Sequence, residues 1–161
     1  MESWSNFFLG ELGAAAALAA LLCVSVSVNQ ARILALGRMA DRGIESLAML
    51  FLVLAMASLG LVPQQLPRLF GLEVLTLSSV LIGRLVPLQR SYLSQIDAED
   101  RPRTLVLVRG TRATIGVIAL AGLVMLVLND AHGMYLLVPG ILGTFVAALA
   151  NAWVLLIEIN R

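Results

Sequence analysis

Five apolar runs, each long enough to cross a lipid bilayer and each separated by a short polar break, constrain this chain more than any other feature. On a window of ~20 residues at ~1.5 Å rise, the length a bilayer core demands, they fall at approximately 7–28, 44–62, 69–86, 105–128 and 134–159. A peptide group in hydrocarbon has no water to bond, so each run is expected to satisfy its backbone internally as a helix. The fold class that follows is an all-α, polytopic membrane bundle of about five transmembrane helices, with 1–161 as a single domain. Composition agrees. Of 161 residues, 60% are hydrophobic and 13% charged, and the mean hydropathy is +0.94. A soluble domain carries roughly a quarter charged residues, so the surplus apolar surface has to face lipid.

The first run could be mistaken for a cleaved signal peptide. Its N-terminal flank holds Glu2 and no basic residue, and its apolar core exceeds the usual length, so it reads as a retained helix. All eleven basic residues are arginines, and their placement orients the chain. Arg32, Arg38 and Arg42 sit between runs one and two; Arg90, Arg101, Arg103, Arg109 and Arg112 cluster around the break between runs three and four, with Arg84 just inside. The other two breaks hold only Arg68. The positive-inside rule then predicts an N-terminus outside and a C-terminus in the cytoplasm, in a multi-pass protein of the bacterial inner membrane. Pro63 and Pro87 are expected to stop helices two and three, because proline cannot continue the hydrogen-bond ladder. Asp100 is a candidate N-cap for the fourth helix, with Pro102 in its first turn.

Helices in lipid associate through small residues and polar contacts rather than through apolar burial. Gly140, Thr144, Ala147, Asn151 and Glu158 fall on one arc of the fifth helix, which is predicted to face the interior. Glu73, Thr76 and Arg84 share a face of the third. Gly116, Ala119 and Gly122 form a shorter surface on the fourth. The first helix carries a long small-residue face, Gly13, Ala16, Ala17, Ala20, Cys23 and Ser27, with Glu11 and Asn29 opposite. Two special faces suggest a helix that is central or lies at an oligomer interface.

A charge at the bilayer centre costs on the order of 2.5–3.5 kcal/mol on insertion scales, so each needs a partner or a purpose. Glu11 and Glu73 lie at similar depth near the outer ends of their helices and form a candidate proton or cation site, since paired carboxylates favour a shared proton or bound cation. The blander reading, that each reaches interfacial water or a neighbouring helix, carries more weight. Near the cytoplasmic ends, Glu45, Arg84, Asn151 and Glu158 form a candidate ion-pair and polar cluster, with Arg42 or Arg112 able to join. Its expected use is to fix helix register.

Chemistry leaves no further trace. The chain has no metalloprotease, nucleophile-elbow, P-loop or dinucleotide motif. Asp41, Asp97, Asp100 and Asp130 are expected in loops, which excludes an intramembrane aspartyl pair. His132 stands beside Asp130 in an outer turn without further ligands, and no histidine lies in a span to hold haem. Cys23 is alone, so no internal disulfide or cysteine metal site is expected. A net charge of +1 gives no pull toward nucleic acid. No enzyme activity, cofactor or metal is therefore expected.

Several strings taken together resemble a known group: residues 13–20 leading into 24–29 and 32–34, then Arg42-Gly-Ile-Glu45, Leu59-Gly-Leu-Val-Pro63, Gly71-Leu-Glu73 and Asn151-Ala-Trp-Val-Leu-Leu-Ile-Glu158. The pattern is similar to small bacterial integral membrane proteins of unassigned function, some labelled modulators of the FtsH membrane protease. The resemblance implies a bundle in the bacterial inner membrane and supplies no catalytic residues. The expected partners are the lipid bilayer and a membrane protein or a second copy of the chain. Two functions follow: a subunit or modulator of a membrane assembly, or a small channel or transporter using Glu11 and Glu73.

Overall fold

The computed structural model describes residues 4–29, 38–94, 96 and 101–160, with the backbone alone at 38–40 and 154–160. Among these the regular structure is all helical: α1 (Ser5–Val28), α2 (Arg38–Gly60), α3 (Pro67–Ser94), α4 (Arg101–Leu128) and α5 (Gly133–Asn160). All five are long and apolar enough to cross a membrane, as the apolar runs predict, and they form an antiparallel up-and-down bundle. Its two ends differ. One holds the tight turns after α2 and α4; the other holds the arginine-bearing start of α2, end of α3 and start of α4.

The turns are short because their residues stop helices efficiently. Asn129 takes a left-handed backbone (φ 51°) immediately after α4, a conformation asparagine tolerates better than most residues at a helix C-terminus. Asp130 then accepts the amide N–H of Ala131 and pairs with His132 in the exposed turn. Gln64 is likewise left-handed (φ 56°) in the turn between α2 and α3.

Proline does not end α3. The helix runs through Pro87 for a further seven residues to Ser94, two turns beyond the predicted stop. The pyrrolidine ring clashes with the carbonyl four residues back, and that residue is Gly83, exposed and with open space around it. The continued helix carries Gln89 and Tyr92 into the bundle.

The helices are arranged around α2, which packs against α1, α3 and α5; α3 lies on α4 and α4 on α5. The expectation of a central first helix is therefore corrected: α1 is peripheral and has the least buried span of the five, while α2 has the most. Two glycines bring α3 and α4 together. A Cβ on Gly71 would lie 2.8 Å from the Gly122 carbonyl, and one on Gly122 would lie 2.8 Å from the Gly71 carbonyl, so these backbones touch where only glycine fits. Between α5 and α4, a Cβ on Gly140 would instead meet a side chain, lying 2.7 Å from Ile118 Cγ1.

Packing differs along the bundle axis. The tight-turn half is filled by large apolar groups, among them Phe8, Met56, Phe70, Met125, Met134, Leu137 and Ile141, all fully buried. The Phe8 and Phe70 rings meet edge to face at 5.5 Å, joining the ends of α1 and α3. Trp4 packs edge to face on Phe7 and Tyr135 at the same end, where an interfacial aromatic is expected. The arginine-rich half buries polar side chains instead.

Candidate functional site

Glu45 stands in the second turn of α2 with 1% of its surface exposed. A carboxylate there needs donors, and α3 supplies two. The Gln89 Nε2–H donates to Glu45 Oε1 at 2.9 Å and the Tyr92 hydroxyl donates to Oε2 at 2.9 Å. Gln89 in turn accepts from Arg112 Nε on α4 at 2.7 Å. That arrangement settles the amide's orientation: the carboxylate requires its nitrogen, and the guanidinium requires its oxygen. Arg42, one turn before Glu45, lies with its guanidinium carbon 5.9 Å from the centre of the Tyr92 ring and donates to Thr104 Oγ1 on α4 at 2.9 Å. Six side chains on three helices thus form one buried or half-buried network.

The network contains two guanidinium groups and one carboxylate, and none of the three is in direct ion-pair contact. Among the described residues the only ion pair is His132 with Asp130, in the exposed turn. Charge is instead transmitted through neutral intermediaries, with Gln89 bridging Arg112 to Glu45 and Tyr92 bridging Arg42 to it. Two hydroxyls at this end, Ser46 Oγ and Thr111 Oγ1, are buried without a hydrogen-bond partner. Asn151 on α5 is buried as well. Met49, Leu50 and Ala148 share one core cluster of α2 and α5. One turn further toward the arginine-rich end of these antiparallel helices, Ser46 and Asn151 come to the same level.

The structure places the residues of the expected cluster in different surroundings. Glu45 and Asn151 are interior, and Arg42 and Arg112 join. Arg84 does not: it is exposed, as is Thr76, so the face of α3 carrying Glu73, Thr76 and Arg84 points away from the core. The reason is depth. Glu73 lies near one helix end and Arg84 near the other boundary, so each reaches polar surroundings without entering the bundle, as long side chains do. The buried face of α3 is Phe70, Val74, Ser78, Leu85, Gln89 and Tyr92. The Glu158 side chain and the Asp100 cap lie outside the described residues. On α5 the predicted interior stripe holds, with Gly140, Thr144 and Asn151 buried. Asp41, expected in a loop, sits in the first turn of α2.

Glu11 and Glu73 are both half-buried. Glu73 accepts a hydrogen bond from the loop amide of Gln65, and no hydrogen bond among the described residues joins it to Glu11. The contact between these ends of α1 and α3 is the Phe8–Phe70 ring pair, one turn nearer the tight-turn surface than the two carboxylates. Among the described residues no group of three or more histidine, cysteine or acidic side chains converges as a metal site would require.

Gln89 and Tyr92, the two donors that hold Glu45, are absent from the sequence-based candidates because they follow Pro87, which was expected to end the helix. A usable signal was present: Leu85, Gln89 and Tyr92 continue the i, i+4, i+7 spacing of the buried face past the proline.

No family model matches the chain, and no curated protein or solved structure is significantly similar to it.

Proposed function

We propose that this multi-pass chain is a non-enzymatic component of the bacterial inner membrane, oriented with its N-terminus outside, that acts through helix–helix contacts as a subunit or modulator of a membrane assembly. Modulation of a membrane protease, the role some proteins of the resembled group are labelled with, is one form this takes. The carrying observation is the outer face of α1. Gly13, Ala16, Ala17, Ala20, Cys23 and Ser27 are all exposed, and a Cβ on Gly10 or Gly13 would meet nothing within 4 Å. The subset 13, 16, 20, 23 and 27 repeats at alternating intervals of three and four, the spacing of a seam between two helices. Among the described residues, nothing in the bundle covers this face. Small residues give lipid no better contact than leucine does, whereas they let another helix backbone approach closely.

The occupant is a transmembrane helix of a partner protein with a small-residue face of its own. The test is purification in mild detergent of wild type and of Gly13→Leu and Ala20→Leu, which project into open space and leave the bundle intact. A stoichiometric partner retained by wild type and lost from both variants supports the reading. A wild-type chain recovered only as a monomer, or a partner equally retained by the variants, removes its basis.

The alternative, a proton or cation path through Glu11 and Glu73, draws less support, because Glu73 is engaged by Gln65 and bulky rings join the helix ends beside it. Flux in proteoliposomes that disappears in Glu73→Gln would restore it.

A further inference from the structure

Among the described residues, the buried network at the arginine-rich end is short of one negative charge. Arg42 is 8% exposed and Arg112 half-buried, while Glu45 is the one carboxylate among the described residues that is bonded into the network. Charges taken out of water are costly unless they are matched and hydrogen-bonded. Donors are also in excess. A guanidinium offers five N–H groups. Arg112 uses Nε on Gln89, leaving both η nitrogens without a protein acceptor among the described residues, and Arg42 spends one nitrogen on Thr104. Next to Arg112 in the chain, Thr111 Oγ1 is fully buried and unpartnered.

The position of this surplus matters. Arg42 and Glu45 lie in the first two turns of α2, which begins at Arg38, and Gln89 and Tyr92 lie in the last two turns of α3, so the network sits near helix ends, close to the depth of lipid headgroups. The 28 residues of α3 and of α4 reach ~42 Å, more than the ~30 Å of a hydrocarbon core. Arg101, Arg103 and Arg109 are exposed along this end of α4.

We propose that this end of the bundle binds a phosphate-bearing anion, held by the η nitrogens of Arg112 and completed by Arg42 and the Thr111 hydroxyl, and that its depth makes the headgroup of an anionic phospholipid the occupant. A planar guanidinium fork matches two phosphate oxygens, and basic pockets between helices on the cytoplasmic side are where such headgroups bind. The network then has a second role. Gln89 and Glu45 hold the Arg112 side chain by its Nε, so that the η edge is presented ready-made to the ligand.

The test is thermal unfolding of the full chain in phosphatidylcholine nanodiscs titrated with phosphatidylglycerol, with native mass spectrometry counting retained lipid. A ligand that binds only the folded state raises the melting temperature as its concentration rises. Wild type is expected to show a saturable rise and one retained anionic lipid. Arg112→Gln, which keeps a donor for Gln89, should weaken phosphatidylglycerol binding by about tenfold or more. Arg112→Lys, which keeps the charge but loses the fork, should fall between and guards against misfolding of the first variant. Arg103→Gln, an exposed arginine outside the network, should bind within about twofold of wild type. A second arm adds inorganic phosphate to the chain in neutral detergent; a rise there that Arg112→Gln abolishes assigns the site to a soluble phosphate ester instead of a lipid. A wild type that melts alike in both lipids and with phosphate, as it would if a carboxylate of the chain supplied the missing charge, overturns the proposal. So does an Arg112→Gln variant with an undiminished response.

Discussion

Replacing Glu45 separates the contribution of its charge from that of its shape. In Glu45→Gln the new side chain can keep both contacts. Gln89 cannot turn over, because Arg112 holds its oxygen, so the new carbonyl must face Gln89 Nε2 and the new amide must face Tyr92, whose hydroxyl rotates to accept. What is lost is the ionic character of two hydrogen bonds. A bond to a charged group contributes about 1.5–3 kcal/mol against about 0.5–1.5 for a neutral one, so the cost is about 2 kcal/mol. Glu45→Leu is different in kind. It leaves two buried donors without an acceptor and two guanidiniums without an anion, a cost of about 3–5 kcal/mol. Adding Tyr92→Phe to Glu45→Leu removes one of the stranded donors, so the double variant should be less destabilised than the sum of the singles by about 0.5–3 kcal/mol. Equilibrium unfolding in mixed detergent micelles, followed by helical circular dichroism, measures all four proteins. Equal costs for glutamine and leucine, or strict additivity of the pair, would refute the network described here.

Gly122→Ala and Gly71→Ala each drive a methyl into backbone 2.8 Å away on the facing helix, and should destabilise by about 1–3 kcal/mol in the same unfolding assay, whereas Gly110→Ala, with nothing within 4 Å, should be neutral or slightly stabilising. Pro87→Ala restores a backbone bond on an exposed face of α3 and is expected to raise stability by up to about 3 kcal/mol. Cys23, exposed on the outer face of α1, should react with a membrane-permeant maleimide in the isolated chain and be protected in membranes that contain the partner; equal labelling in both counts against that face as an interface. Reporter fusions after the N-terminus, after residue 64 and after residue 161 check the orientation, with the first two expected outside and the last in the cytoplasm.

The helices were legible in the sequence because a bilayer imposes a length and an apolar composition that no loop satisfies, and each predicted span falls on a helix. Glu45 and the α5 stripe were legible for a related reason: polar and small residues recurring at helical spacing in an apolar run need a protein neighbour. Two kinds of feature were not. Which face of α3 turns inward depends on how deep each charge lies, and depth is set by the packed bundle; Glu73, Thr76 and Arg84 share an arc without sharing the core. The place of α1 could not be read either, since a small-residue face looks the same whether its neighbour is in the chain or in another molecule. Crowded glycines such as Gly71 and Gly122 distinguish themselves from open ones such as Gly13 only in three dimensions.

The division of the bundle into an apolar half and a polar half follows from the membrane it is built to cross. At the tight-turn end the connections are too short to shield buried charge, and Phe8, Phe70 and the methionines fill the space with groups that need no partners. At the other end the polar side chains lie in the first two turns of α2 and the last two turns of α3, close to the zone where headgroups and water begin. A carboxylate and two arginines are tolerable there, because the cost of burying a charge falls near the interface. They also do what apolar packing cannot. Leucine side chains permit neighbouring helices to slide by a fraction of a turn, whereas a chain of bonds from Arg112 through Gln89 to Glu45, closed by Tyr92, is satisfied in one register of α2, α3 and α4 alone. A bundle pinned in that way presents the outer face of α1 in a constant position, which is what recognition by another transmembrane helix requires.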